Sequence, residues 1–297
     1  MKIITIVGPT GVGKTKLSIT LAKYYNAEII NGDSMQVYKK LDIGSAKPTE
    51  NEKENIVHHL FDIADLNTNY TVFDYQLACR NKIAEIKKKG KNVIIVGGTG
   101  LYIKAALYDY TFIENTSYNS YDDLSNEKLL EKIKSYKIVN PPHLHNRQRL
   151  IRLLNKLENE EPITNNKDKL LYDTIFIGIK APREVLYERI NNRVDEMFKS
   201  GLLDEITSLE SFYETSKALN TGIGYKEFVD YFNKTKTLEE VKDDIKKNSR
   251  RYAKRQFTFF NHQMPVVWFD VDFNNFSNTI NKVIEYINNE EGENNAC

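Results

Sequence analysis

Gly8-Pro9-Thr10-Gly11-Val12-Gly13-Lys14-Thr15 decides how the rest of the chain is read. The octapeptide fits the pattern G-x-x-x-x-G-K-[ST] of a phosphate-binding loop. Residues 2–7 before it are a short β-branched run, and over residues 14–25 after it Leu17, Leu21 and Tyr24 or Tyr25 recur at helical spacing. Strand, loop and helix in that order are the context the pattern needs. The glycines let backbone N–H groups turn inward around a phosphate, and the helix N-terminus adds its dipole. Lys14 adds charge, and the Thr15 hydroxyl is placed to hold Mg²⁺. Gly8, Pro9, Thr10, Gly11, Val12, Gly13, Lys14 and Thr15 are therefore candidate phosphate ligands. The bland alternative is a Gly-rich turn without a ligand.

Outward from the loop, further short apolar runs lie at residues 27–30, 60–63, 93–96, 175–179 and 266–269, spaced by helical segments. That is the pattern of a mostly parallel sheet flanked by helices, so the fold class is α/β. Between the runs at 93–96 and 175–179 lie about eighty residues, too many for one crossover. They begin with the Tyr-, Asn- and Ser-rich stretch 108–126 and continue into helical patterns. The spacing predicts a core made of residues 1–109 and 169–285, a helical insertion domain at 110–168, and a disordered tail at 286–297, frayed and acidic from 290 on.

The 297 residues, 40% hydrophobic and 28% charged, suffice for one large domain with an insert, or for two domains. The apolar start is too short for a signal peptide, and no run approaches the roughly 18 apolar residues of a membrane span, so a cytosolic protein without membrane contact is expected. Cys79 and Cys297 share no metal-type or redox spacing and read as an inert thiol and a tail residue. The net charge of +1 would argue against a nucleic-acid partner only if charge were evenly spread, and it is not.

A phosphate loop first suggests ATP or GTP hydrolysis, or a small-molecule kinase. Those need an acidic residue for Mg²⁺, commonly at the end of a buried strand. Here the run 93–96 leads into Gly97-Gly98-Thr99, and no carboxylate follows it. The acid comes instead after the second strand, in Asn31-Gly32-Asp33-Ser34-Met35-Gln36-Val37-Tyr38, at a strand end where parallel sheets place ligands. Alone, Asp33 is more simply a turn or helix-cap residue. Gly97 and Gly98 alone are a tight strand-to-helix turn.

Together these segments resemble a known family. Gly8-Pro9-Thr10, Asp33-Ser34-Met35-Gln36-Val37-Tyr38, Asp42-Ile43-Gly44-Ser45-Ala46-Lys47-Pro48, His58-His59-Leu60 and Gly97-Gly98-Thr99-Gly100-Leu101-Tyr102 look like the tRNA dimethylallyltransferases of the bacterial MiaA type. The likeness continues through Gln148-Arg149-Leu150-Ile151-Arg152, Gly201-Leu202-Leu203-Asp204-Glu205, Ile223-Gly224-Tyr225-Lys226-Glu227 and Tyr252-Ala253-Lys254-Arg255-Gln256. It spans nearly the whole chain in order. A sheet core like that of phosphate-loop NTPases is what it implies for the fold.

For function, the resemblance implies transfer of a dimethylallyl group from its diphosphate to the exocyclic amine of the adenosine beside the anticodon, position 37 of the tRNA. That amine is a poor nucleophile, so a carboxylate such as Asp33 would accept its proton as the bond to carbon forms. Lys14, the loop N–H groups and Mg²⁺ on Thr15 would stabilise the departing diphosphate. In the family the Thr of the Gly-Gly-Thr turn contacts the reacting base; here that is Thr99. His58 and His59 lack a ligand-spaced partner and read as structural.

The expected partner is the anticodon arm of tRNA, bound by a monomer. Residues 246–256 hold six basic residues in eleven, Lys246, Lys247, Arg250, Arg251, Lys254 and Arg255, with no acid among them. Tyr252, Phe257, Phe259 and Phe260 are interleaved or adjacent. A bare basic helix is usually a solvated face, but rings beside it suit an unstacked RNA loop. Arg147, Arg149 and Arg152 make a second basic patch. With the resemblance, the candidate tRNA contacts are Asp33, Ser34, Met35, Gln36, Thr99, Gln148, Arg149, Arg152, Lys226, Arg251, Lys254, Arg255 and Gln256. This chain departs from common family residues in having Lys226 for Arg, Phe259 for Trp, Asn261 for Arg, and no Arg at 119–127. Three competing readings differ in class: a small-molecule kinase, an isopentenyltransferase for free adenine nucleotides, and a non-enzymatic RNA-binding module. Neither of the first two has use for an RNA grip, and the third leaves Asp33 and Thr99 unexplained.

Overall fold

Ile3–Val7 (β1) is buried along its whole length, and so is Ala27–Asn31 (β2). With His58–His59 (β3), Asn92–Val96 (β4), Thr174–Lys180 (β5) and Val267–Asp270 (β6) they form one parallel sheet in the order β3-β2-β4-β1-β5-β6. The computed structural model describes residues 2–110, 112, 119–138, 145–160 and 169–294, with side chains through Glu290. Successive strand residues point to opposite faces. Ile3, Val7, Val93 and Ile95 enter one core, and Ile4, Ile6, Ile94 and Ile177 the other. Because both faces are covered, the strands read as continuous β-branched runs without polar alternation. Each such isoleucine removed from water contributes about 2–3 kcal/mol.

The helices are Lys14–Tyr24 (α1), Glu50–Lys53 (α2), Val72–Lys88 (α3), Gly100–Leu107 (α4), Asn126–Ser135 (α5), Arg147–Glu158 (α6), Arg183–Lys199 (α7), Leu202–Ser208 (α8), Lys217–Thr221 (α9), Phe228–Phe232 (α10), Leu238–Gln263 (α11) and Phe276–Asn294 (α12). Leu17, Leu21, Leu186, Ile190, Val283 and Ile287 bring α1, α7 and α12 onto one face of the sheet. The other face takes α3, α4, α8 and the first half of α11 through Ile83, Ile103, Ile206 and Ile245. Among the described residues capping boxes set three helix starts, Thr49 with Glu52 on α2, Thr71 with Asp74 on α3 and Thr237 with Glu240 on α11. The chain leaves β1 for β2 past β4, and leaves β4 for β5 on the far side of β1. These two connections run in opposite directions over opposite faces, α1 on one and α4 on the other, and the carboxyl ends of β1 and β4 lie side by side where doubly wound sheets place ligands.

The chain divides into two compact units, Met1–Tyr108 with Leu170–Cys297, and Asp109–Lys169. In the second unit, Leu129 and Ile133 of α5 and Leu150 and Leu154 of α6, each pair four residues apart, close on one another as a small core. Asn155 ties Asn119 to α6 through that residue's N–H and C=O. Within the stretch 108–126, residues 111 and 113–118 lie outside the described residues, as do 139–144 and 161–168 of the expected insert.

Two expectations are corrected. Residues 60–63 are not a strand: Leu60 and Asp62 take left-handed backbone at φ 63° and 54°, which ends pairing after His59. The segment instead bonds to Val37 through the N–H groups of Ile63 and Ala64. Residues 286–294 are helical, not a disordered tail. They continue α12, whose stripe of Ile280, Val283 and Ile287 packs under the sheet. Residues 295–297, Cys297 among them, lie outside the described residues. Cys79 is buried, and burial pushes its thiol up to about 12. No helix among the described residues is long and apolar enough to cross a membrane.

Candidate active site

Gly13 is the N-cap of α1 at φ 106°, a left-handed conformation that glycine tolerates, and it has no side chain with which to cap the helix. The first-turn N–H groups of α1 are thus left to an anion from outside, with the helix dipole behind them. Lys14 lies back over its own loop, its Nζ donating to the carbonyls of Gly8 and Pro9 at 2.9 Å each. Burial, and then the charge of Arg193, push its ammonium down to about 7, against the pull of Asp33. Two cations held this close in a partly desolvated cleft favour an anion between them.

The second element is a pair of turns stitched together. Buried Asn31 accepts the N–H of Asp33 at 2.9 Å and donates to the carbonyls of Asp33 and Leu60 at 3.0 and 3.1 Å, which fixes the chain leaving β2. Asp33 Oδ1 accepts the N–H of Met35 at 2.9 Å. Thr99 Oγ1 accepts the N–H of Ser34 at 2.9 Å and donates to Ser34 Oγ at 3.1 Å, and the Thr99 N–H donates to the Gly32 carbonyl at 3.0 Å. The turn-residue reading of Asp33 therefore accounts for one oxygen only. The other, Oδ2, faces Gly98, 3.6 Å from where a Cβ there would stand.

Gln256 from α11 braces the β4 turn against the phosphate loop, accepting the Thr10 N–H at 2.9 Å and donating to the Gly98 carbonyl at 3.1 Å. A Cβ on Gly98 would come within 2.0 Å of its Nε2, so the contact requires glycine. Gln256 is 4% exposed, and its amide is occupied inside the protein. This corrects its assignment as an RNA contact: it holds the phosphate loop to the β4 turn. Tyr252 reaches the same carbonyl at 3.4 Å, and burial, then the Asp33 carboxylate, push its phenol above the usual range.

A cavity of about 730 Å³ runs along the phosphate loop and is lined by Thr10, Lys14, Thr15, Asp33, Arg189 and Arg193, among others. A second, of about 270 Å³, is lined by Ser34, Met35, Gly222, Lys226, Ser249 and Arg255, among others. Both are also lined by Thr10, Asp33, Ser45, Arg193, Met197 and Tyr252, so Asp33 stands where the two meet. Thr99 is not in either lining; it sets the backbone beside Asp33. Gln36 lines the larger cavity, with its Nε2 donating to the carbonyls of Ser45 and Ala46 at 3.1 Å each.

Arg193 and Arg189 escaped the sequence reading. Arg193 Nη1 donates to Thr10 Oγ1 at 3.1 Å, and Arg189 Nε donates to the Gly11 carbonyl at 3.1 Å. Burial lowers the Arg193 pKa from its ordinary value, yet a guanidinium keeps its charge in proteins. The available signal was two arginines four residues apart on the helix following a buried strand, which puts both on one face.

On α11 the basic residues divide. Lys246 pairs with Asp195 of α7 at 2.7 Å, and Arg250 donates to Asn191 at 2.6 Å. Lys247, Arg251, Lys254 and Arg255 are exposed. Arg255 lies over the Tyr252 ring at 5.6 Å. Of the interleaved aromatics, Phe260 is wholly in the core, Phe257 packs on Trp268 and Phe259 covers Gly100. Of the expected stacking rings Phe260 is thereby excluded, while Phe257 stays 38% exposed and Tyr252 lines both cavities. In the second unit Gln148, Arg149 and Arg152 are exposed, while Arg147 is committed to the carbonyls of Leu124 and Tyr121. His58 Nδ1 meets the Ile56 carbonyl and His59 Nε2 the Glu28 carboxylate, each at 2.7 Å.

A family model described as IPP transferase matches residues 36–263. The chain is 44% identical over 299 residues to a tRNA dimethylallyltransferase of Anoxybacillus flavithermus, covering 96% of each. It is 45% identical over 284 residues to that of Bacillus subtilis, covering 91% of this chain and 90% of the other. Among solved structures, a tRNA isopentenylpyrophosphate transferase from Bacillus halodurans superimposes with a TM-score of 0.75 at 37% identity, covering 98% of this chain and 97% of that one. A eukaryotic dimethylallyltransferase acting on tRNA superimposes with a TM-score of 0.81 at 28% identity, covering 99% of this chain and 80% of that one.

Proposed function

The chain belongs to the IPP transferase family, and from that premise we propose that it transfers a dimethylallyl group from dimethylallyl diphosphate to N6 of adenosine 37 in the anticodon loop of tRNA, releasing diphosphate. The observation that carries this reading is the position of Asp33 at the meeting of two cavities, one bounded by the phosphate loop and the other by Lys226 and Arg255. A small-molecule kinase would also use a second cavity for its acceptor, but it has no use for the exposed charge of α11.

In this reading the diphosphate lies on the N–H groups of residues 11–15, at the loop and the start of α1, with Lys14 and Arg193 beside it; Pro9 has no N–H, and that of Thr10 is taken by Gln256. Their charges stabilise the leaving group as the allylic C–O bond breaks. The adenine enters from the smaller cavity with its exocyclic nitrogen directed at the freed carbon. As the C–N bond forms, the amine proton passes to Asp33 Oδ2, the oxygen not committed to the Met35 N–H. Thr99 keeps the Ser34 backbone, and with it Asp33, in register. Exposed Arg251, Lys254 and Arg255, with Gln148, Arg149 and Arg152 of the helical unit, are the proposed phosphate contacts to the anticodon arm.

Thr15 fits a divalent ion. It is an exposed hydroxyl lining the larger cavity beside the loop, and Mg²⁺ accepts one or two protein oxygens when phosphates and water supply the rest. When bound, Mg²⁺ supplies further charge to the diphosphate oxygens. The enzyme is read as a cytoplasmic monomer, where unmodified tRNA is found.

The test is to incubate purified protein with unmodified tRNA, Mg²⁺ and dimethylallyl diphosphate, and to digest the tRNA for mass spectrometry. A five-carbon unit on the adenosine next to the anticodon is expected. Consumption of ATP with unmodified adenosine would sink the proposal.

A further inference from the structure

Residues 42–45 form a strap across the site whose four consecutive backbone N–H groups are all claimed by two side chains. Glu205 Oε2 accepts from Asp42 at 3.1 Å and from Ile43 at 2.7 Å, and Oε1 accepts from Gly44 at 3.1 Å. Oε1 also accepts the Tyr225 hydroxyl at 2.9 Å, and that hydroxyl oxygen in turn accepts the Ser45 N–H at 3.0 Å. Converging backbone N–H groups make a nest for an anion, and here a carboxylate of the chain itself fills it. Gly44 lies against the buried Tyr225 ring, where an added Cβ would stand 2.6 Å from Cζ.

Neither Glu205 nor Tyr225 is in the lining of these two cavities, but the strap they hold is. Gly44 and Ser45 wall the smaller cavity, Asp42, Ile43 and Ser45 wall the larger, and Ser45 borders both beside Asp33. Glu205 sits on α8, which follows α7 after the turn at Gly201, and α7 carries Arg193. The carboxylate thus ties the wall opposite the phosphate loop to the frame that positions the cation on the leaving group.

We infer that Glu205 and Tyr225 are positioning residues for the transfer, setting the strap that keeps water from the allylic carbon; this rests on the function proposed above. The competing step is hydrolysis. The allylic C–O bond to diphosphate breaks, water oxygen bonds to the carbon, and the water proton passes to the released diphosphate, giving dimethylallyl alcohol. A residue that only supported the fold would change the amount of active protein, not the partition between these two fates.

Glu205→Gln turns an amide N–H toward donors, and Tyr225→Phe keeps the ring against Gly44 while removing both hydroxyl bonds. With labelled dimethylallyl diphosphate, the ratio of tRNA-bound label to free alcohol should fall about tenfold in Glu205→Gln. It should fall in the same direction, but less, in Tyr225→Phe, with KM for the diphosphate raised in both. Should Glu205→Gln fail to fold, Tyr225→Phe decides alone. A transferring wild type whose folded variants keep its partition and KM overturns the positioning role and leaves the function standing. A wild type that transfers nothing sinks the function itself, and this inference with it.

Discussion

The turns after β2 and β4 and the basic helix α11 supply the two halves of the site, and they are built in opposite ways. The turns are locked by bonds to backbone groups: the Asp33 N–H to the Asn31 side chain, the Ser34 N–H to the Thr99 hydroxyl and the Thr99 N–H to the Gly32 carbonyl, with buried Gln256 tying the β4 turn to the phosphate loop. Every group there has one geometry, suited to chemistry that tolerates little misplacement. On α11 the cations Lys247, Arg251, Lys254 and Arg255 are exposed on long stems, with Arg255 resting over the Tyr252 ring. They suit a partner recognised by its phosphates, where charge matters more than ångström-level placement. Chemistry is held by the backbone and grip by loose charge.

That contrast breaks if the two regions respond alike to substitution. On the rigid side, Lys14→Met, in the phosphate loop that Gln256 ties to the β4 turn, should cost about 10²–10³-fold in transfer with tRNA affinity near wild type, second only to Asp33→Asn, since it removes charge aimed at the leaving group. The Lys14 pKa sharpens this. Held at about 7 by burial and Arg193, the ligand-free ammonium loses its charge as pH rises through that value. The ratio of inorganic diphosphate affinities, wild type over Lys14→Met, should therefore be largest well below pH 7 and shrink above it, as titration calorimetry at several pH values would read.

On the loose side, replacing Arg251, Lys254 and Arg255 together with alanine should lower the slope of log affinity for tRNA against log salt by about 2, at roughly 0.7 per cation. Lys246→Ala and Arg250→Ala should leave that slope unchanged, because both face α7. A triple variant with the wild-type slope would remove α11 from the RNA surface.

The smallest effect concerns neither half. Glu28, 2% exposed at the β2–β3 edge, would be pushed up by burial, but hydrogen bonds from His59, Lys91 and Lys89 outweigh this and hold it at about 2. Its folded value lies below its ordinary 4.5, so its contribution is complete above that value and is lost as pH falls through about 2. Glu28→Gln should cost about 3 kcal/mol of unfolding free energy at neutral pH, with the deficit narrowing in acid. A deficit independent of pH would mean that packing, not charge, is what the substitution removes.

The same contrast explains what could be read beforehand. The loop 8–15, Asp33 and Gly97-Gly98-Thr99 are legible because a phosphate nest and a strand-end carboxylate demand particular residues at fixed spacing. The charge of α11 was legible as a count, but not its direction. That Lys246 and Arg250 turn to α7, and that Phe260 is core, depends on which helix packs alongside. Arg193 was missed because its partner, Thr10, lies far away in sequence, and only the α7 packing joins them. The edge strand at His58–His59 was misplaced by two residues because left-handed backbone at Leu60 leaves no trace in an apolar run.

The central claim is that Asp33 takes the proton, not merely that it forms a turn. Asn at this position can still accept the Met35 N–H and keep the turn, but it cannot act as a base. The decisive measurement is single-turnover transfer by Asp33→Asn on saturating tRNA and dimethylallyl diphosphate, beside its melting temperature and tRNA affinity. The expected result is a rate lower by about 10³-fold with melting and tRNA binding at wild-type levels. A rate within tenfold of wild type, or a loss that follows the melting temperature down, would contradict it.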